Sequence, residues 1–152
     1  MRSHTRASRI LLAAGLVAAS LAGPLSTGAA ADDGGRPLSA ELTGAAEAPG
    51  PGDPDGSGSA SLRVNPGQGE ICYTLTVTNV DNVTAAHIHV APVGSPGPVV
   101  VPLVAPVSGS SSACATVDRE LAMAILTNPG AYYVNVHSTA HPAGAVRGQL
   151  HA

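Results

Sequence analysis
A chain interrupted by Gly, Pro or Asn about every ten residues has no room for long helices, because those residues end helices and supply turns. From residue 38 onward this sequence is interrupted in that way. Eight short runs stand between the breaks: LSAELT (38–43), SASLRV (59–64), EICYTLTVT (70–78), TAAHIHVA (84–91), PVVVPLV (98–104), SACATV (112–117), AYYVNVH (131–137) and AVRGQLH (145–151). Several alternate apolar and polar residues, the pattern of a half-buried strand. GAAEAPGPGDPDGSG (44–58) reads as a Pro/Gly loop and GSPGP (94–98) as a tight turn. One short helix fits at DRELAMAILTNPG, with Asp118 placed to cap it, Leu121, Ala124 and Ile125 as its apolar stripe, and Asn128-Pro129-Gly130 as its stop. The expectation is an all-β fold, an antiparallel sandwich or Greek-key barrel of about eight strands.

The core of such a fold has to be built without Phe or Trp, from Val, Leu, Ile, Ala and three Tyr. Small β-branched side chains favour strands, so the composition agrees with the punctuation.

The N-terminus reads differently. Arg2, Arg6 and Arg9 precede the apolar run Ile10 to Gly23, and Ala29 and Ala31 form an A-x-A site before Asp32. This is the layout of a secretory signal peptide over residues 1–31, which leaves residues 32–152 as one domain of 121 residues. The expected location is extracellular, or periplasmic if the host has an outer membrane, with no membrane span once the signal is removed. Four Arg and no Lys stand against six Asp and four Glu in that domain, a formal charge of −6. An acidic chain with no basic cluster is a poor match for nucleic acid. In an oxidising compartment Cys72 and Cys114 are most simply a disulfide, worth about 4 kcal/mol by loop closure.

Strand parity sorts the side chains by face, since alternate residues point to opposite sides. Ile88 and Val90 face the core, which turns His87 and His89 together to the other side. Tyr132, Val134 and Val136 face the core, leaving Tyr133, Asn135 and His137 outside. Val146, Gly148 and Leu150 face inward, with Arg147, Gln149 and His151 outside. Cys72 and Cys114 also lie on outer faces, so their bridge is expected at the surface. If the strands carrying His87, His89, His137 and Arg147 are neighbours, their outward groups share one patch.

Three neutral imidazoles there can bind copper or zinc at about 2.0–2.1 Å and leave one position open. Asn135 and Gln149 are the expected partners of the imidazoles' remaining nitrogens, and Arg147 an anion-attracting neighbour. The same residues can equally hydrogen-bond one another or contact a partner without a metal. His141, in a turn, and the penultimate His151 are weaker ligand candidates. Asn82-Val83-Thr84 matches the N-glycosylation acceptor pattern. SGSSS (108–112) and the acidic pair Asp53 and Asp55 read as solvated loops. Paired carboxylates, a phosphate loop and a nucleophile–base–acid set are all missing, so no enzyme is expected.

Four stretches together resemble the CHRD domain, named for chordin and found also in exported bacterial proteins: LTGAAEAPG (42–50), VTAAHIHVAPVGSPGPVVVPL (83–103), NPGAYYVNVHS (128–138) and PAGAVRGQL (142–150). The resemblance implies an immunoglobulin-like β-sandwich with distant similarity to the copper/zinc superoxide dismutases. Chordin is a secreted antagonist of growth factors, which implies an extracellular binding module. Dismutases also carry a His-x-His strand, a later strand His and an arginine, roles that His87, His89, His137 and Arg147 match. This sequence has no His-rich zinc loop between His89 and His137, and only ten residues separate His137 from Arg147. Dismutase activity is therefore not expected. The functional expectation is a non-enzymatic binding module for an extracellular protein or cell-surface component. Its alternative is a small copper- or zinc-binding protein using His87, His89 and His137.

Overall fold
Alternating burial is the rule along the strands of the computed structural model, which describes residues 34–152. The expected signal segment lies outside the described residues. The strands are β1 (Arg36–Thr43), β2 (Ser57–Asn65), β3 (Glu70–Thr78), β4 (Val83–Val90), β5 (Val99–Leu103), β6 (Ser110–Thr116), β7 (Tyr132–Ser138) and β8 (Val146–Gln149), with one helix, α1 (Arg119–Thr127), between β6 and β7. All pairings are antiparallel, in the order β5-β4-β7-β8-β1-β2-β3-β6.

The sheet is dense within two groups of four strands and thin between them. β1 and β8 share the single ladder pair Thr43↔Arg147, supplemented by a bridge from Ser39 to His151. β5 and β6, the two ends of the order, are joined by side chains instead of a ladder. The Val104 amide donates to the Tyr73 hydroxyl at 2.8 Å, and the Ser111 hydroxyl donates to the Val104 carbonyl at 2.7 Å. The result is a nearly closed antiparallel barrel or sandwich with one short helix, the expected class. The chain crosses between groups after β3, after β5 and after β6, a Greek-key path.

Small aliphatic residues fill the interior as expected. Leu42, Leu62, Ile71 and Leu75 from one group pack with Ile88, Val101, Val134, Val136 and Leu150 from the other. Burying each such side chain contributes about 1.5–3 kcal/mol of transfer free energy. Helix α1 packs against β2 and β3 through Ala122, Ile125 and Leu126. The apolar stripe is thus rotated from the expected one: Ile125 is buried, Leu121 is half-buried and Ala124 is exposed. Asp118 does hold the N-cap position, but its side chain makes no capping hydrogen bond.

Cys72 and Cys114 are directly opposed on β3 and β6 and form the expected disulfide, on the outer face. Among the described residues no helix is long and apolar enough to cross a membrane.

Strand β7 departs from alternation, with six of its seven residues buried. A strand buried on both faces needs a second covering layer. Two loops supply it, and they build the site.

Candidate metal centre
β4, β7 and β8 are consecutive in the sheet, so the polar faces predicted from parity do form one patch. In register, His89 opposes Tyr133 and His87 opposes Asn135 across β4–β7, while Asn135 opposes Arg147 and Tyr133 opposes Gln149 across β7–β8. The ladder between β4 and β5 shifts register between Ile88 and His89, giving β5 an extra residue beside the His-x-His pair. Such bulges commonly re-aim a strand next to a site.

The patch is not open to solvent, which corrects the expectation for Tyr133, Asn135 and Arg147. They are 3 %, 2 % and 1 % exposed, and His89 is 8 % exposed. The cover is the loop after β4. Arg147 donates to the Ser95 carbonyl at 2.8 Å and to the Pro92 carbonyl at 2.9 Å. Gln149 donates to the Ala91 carbonyl at 2.7 Å and the Gly97 amide donates to the Tyr133 hydroxyl at 3.2 Å. Arg147 is therefore a clamp for this loop, with donors committed to carbonyls, and not an open anion site. Its guanidinium also lies 3.4 Å from the Tyr133 ring centroid, while His89 stacks on that ring with 4.8 Å between centroids and planes 6° apart. His89 comes from the strand on one side of β7 and Arg147 from the strand on the other, so Tyr133 is held between them.

The imidazoles converge. One nitrogen from each of His87, His89 and His137 lies within 4.8 Å of the others. His87 Nδ1 is 3.1 Å from His137 Nε2. The remaining partners settle the tautomers, because a carbonyl only accepts. His89 Nδ1–H donates to the Gly97 carbonyl at 2.8 Å and His137 Nδ1–H to the Pro142 carbonyl at 3.1 Å. Each neutral ring then keeps an Nε2 lone pair. That of His89 is buried and has no hydrogen-bond partner. His87 and His137 are half-buried. Burial, followed by the neighbouring imidazoles of His137 and His89, holds His87 below the usual histidine range. Burial also lowers His137, against the raising effect of its bond to Pro142. Both are therefore neutral near pH 7, the form that binds metal.

The expected supporting residues differ from the observed ones. Backbone carbonyls of Gly97 and Pro142, not Asn135 and Gln149, orient the imidazoles. Gln149 is spent on Ala91 and Gly130. Asn135 instead lies beside Glu47, from the loop after β1, a buried carboxyl that parity reasoning passed over, and favours its ionised form. Its one sequence signal is its place in the Glu-x-Pro of LTGAAEAPG. His141 lies apart from the triad, 3.9 Å from Asp53, and His151 is exposed near Ser39 at 3.4 Å. A second cluster, Glu70 with Cys72 and Cys114, offers no thiolate because both sulfurs are in the disulfide.

The CHRD domain family model matches residues 38–150, which spans every strand from β1 to β8 except the first two residues of β1. The chain belongs to the CHRD family. No curated protein and no solved structure matches it significantly. All four stretches that carried the resemblance lie within or overlap this CHRD domain. Two of them, VTAAHIHVAPVGSPGPVVVPL and NPGAYYVNVHS, supply the three imidazoles, and PAGAVRGQL supplies the Arg147 clamp.

Proposed function
We propose that this CHRD chain is an exported, non-enzymatic binding module that holds one divalent transition metal, zinc or copper(II), on His87, His89 and His137. The observation that carries this reading is the convergence of three imidazole nitrogens within 4.8 Å, in a cluster where His89 Nε2 is buried without a partner. Bond lengths of 2.0–2.1 Å in a tetrahedral site place ligand atoms about 3.3 Å apart. The 3.1 Å between His87 Nδ1 and His137 Nε2 is close to that value. With its proton on Nε2 instead of Nδ1, a neutral His87 would offer Nδ1 to a metal ion beside His137 Nε2. Backbone carbonyls already hold the His89 and His137 rings, so little ordering is left to pay on binding.

Three protein ligands leave a fourth position for water or for a group from an extracellular protein or cell-surface partner. The signal-peptide layout and the disulfide support export. The lack of a nucleophile–base–acid set or paired carboxylates in the sequence supports a binding role over catalysis.

The test is calorimetric titration of tag-free protein, residues 32–152, with Zn(II) and Cu(II). One ion per chain, lost in the triple variant His87→Ala/His89→Ala/His137→Ala, is the expected result. Affinity no tighter than millimolar, or unchanged in the triple variant, overturns the reading.

A further inference from the structure
Glu47 is a buried acid that the metal ligands do not use, and the fold has been shaped around it. It is 8 % exposed, and its Oε1 is buried without a hydrogen-bond partner. Asn135, which lies beside it, also has a buried, unpartnered Oδ1. The loop after β1 and the turn before β8 close over the carboxyl with glycines. A Cβ at Gly144, where φ is +149°, would overlap both carboxylate oxygens of Glu47, and one at Gly52 would come within 2.8 Å of its Cγ. Only residues without side chains fit at such approaches.

The position of this carboxyl is specific. Asn135 opposes His87 on one side and Arg147 on the other. Glu47 therefore reaches the polar face one residue from the imidazoles through Asn135. Arg147 of β8 is the charged group acting on it. Arg147 gives its own hydrogen bonds to Ser95, Pro92 and Gln149. The loop side of Glu47 lines an opening of about 360 Å³ formed by Gly44, Gly50, Pro51, Gly52 and Pro54. No ligand imidazole lines that opening, so a proton has a route to solvent separate from the metal ligands.

Three neutral imidazoles add no negative charge to offset a divalent ion, and Arg147 adds a further positive charge nearby. Glu47 is the buried carboxyl that feels Arg147, and the turn that closes over it at Gly144 also holds His137 through the Pro142 carbonyl. We infer that Glu47 is the charge-compensating group of the site: it carries a proton in the metal-free chain and releases it to solvent when a divalent cation occupies His87, His89 and His137. The O–H bond of the carboxyl breaks, the proton passes to buffer, and the carboxylate left behind stands beside the Ala48 backbone and the Asn135 side chain, both of which favour the ionised form. Burial raises this carboxyl to about 7, so near neutral pH it holds about half a proton to give.

This inference rests on the metal reading above, and one experiment separates the two. Zn(II) is titrated at pH 7 into wild-type protein and Glu47→Gln in buffers of different ionisation enthalpy, which counts protons released per ion bound. The expected result is about half a proton more from wild type than from the variant. Equal proton counts in the two proteins overturn the role of Glu47 while leaving the metal site standing. Absence of Zn(II) binding in wild type overturns both. The wild type carries its own readout, independent of how Glu47→Gln folds. With ¹³C-carboxyl-labelled glutamate, the one resonance that titrates near pH 7 is expected to move to its ionised position on Zn(II) saturation at pH 6.5, and a resonance that stays put overturns the inference.

Discussion
His87 and His137 meet on a diagonal of the β4–β7 ladder. Their direct cross-strand partners are Asn135 and Ala85, yet their ring nitrogens stand 3.1 Å apart. Contacts at that diagonal spacing are within reach of long or aromatic side chains. One nitrogen of His89 lies within 4.8 Å of one from each of these rings. Single substitution of His87, His89 or His137 by Ala is expected to weaken Zn(II) or Cu(II) binding by roughly 100-fold or more. The thermal upshift given by saturating metal in wild type, about 2.7 kcal/mol at a hundred times Kd, should shrink accordingly. Calorimetry and thermal melts with and without metal check both.

The metal-free chain has two titrations of opposite sign. His87 and His137 are held below the usual histidine range by burial, so the unfolded chain takes up protons first as pH falls. Their stabilising contribution is complete above the unfolded value of 6.5 and is lost as pH drops below it toward their folded values. Glu47 is raised from 4.5 to about 7, so its contribution is complete below 4.5 and is lost as pH rises to about 7. Between pH 5 and pH 8 that loss amounts to about 2–3 kcal/mol. Wild type should therefore lose about 2–3 kcal/mol more than Glu47→Gln over this interval, read from urea unfolding at the two pH values.

Parity made the fold and the triad legible. The alternation in EICYTLTVT, TAAHIHVA and AYYVNVH depends on local sequence, and it located β3, β4 and β7 to within a residue or two. It also turned three imidazoles and Arg147 to one side. What covers that side depends on contacts between distant segments, such as Arg147 reaching Ser95 and Pro92, and periodicity carries no trace of them. For the same reason parity passed over Glu47, a lone acid in a Pro/Gly loop that the fold buries. The stripe of α1 was misplaced because Ala and Leu occupy both candidate sides, and the choice is made by where β2 and β3 lie.

The loop after β4 hangs on Arg147. A guanidinium donates to two carbonyls and stacks on Tyr133 at once, whereas an ammonium is a point charge without the planar fork. Arg147→Lys should therefore cost about 2–4 kcal/mol, since it leaves buried carbonyls unpaired around a buried charge. Hydrogen exchange at residues 91–98 should accelerate more than exchange in β2 and β3. Exchange measured by mass spectrometry, with urea unfolding for the total, checks both. Protection of that loop equal to wild type would show that its cover does not depend on the clamp.

The disulfide joins β3 to β6, in the strand group that carries none of the three imidazoles. The two groups are linked by one ladder pair, by side chains at the β5–β6 seam and by the shared core. Cys72→Ser/Cys114→Ser is therefore expected to lower stability by about 4 kcal/mol through the unfolded chain's greater freedom. Metal affinity at 20 °C, where the variant is still folded, should stay within about threefold of wild type, since distant sites with no shared partners act independently. Urea unfolding gives the first quantity and calorimetry the second. A parallel fall in both would mean that the core transmits the loss of the bridge to β4 and β7.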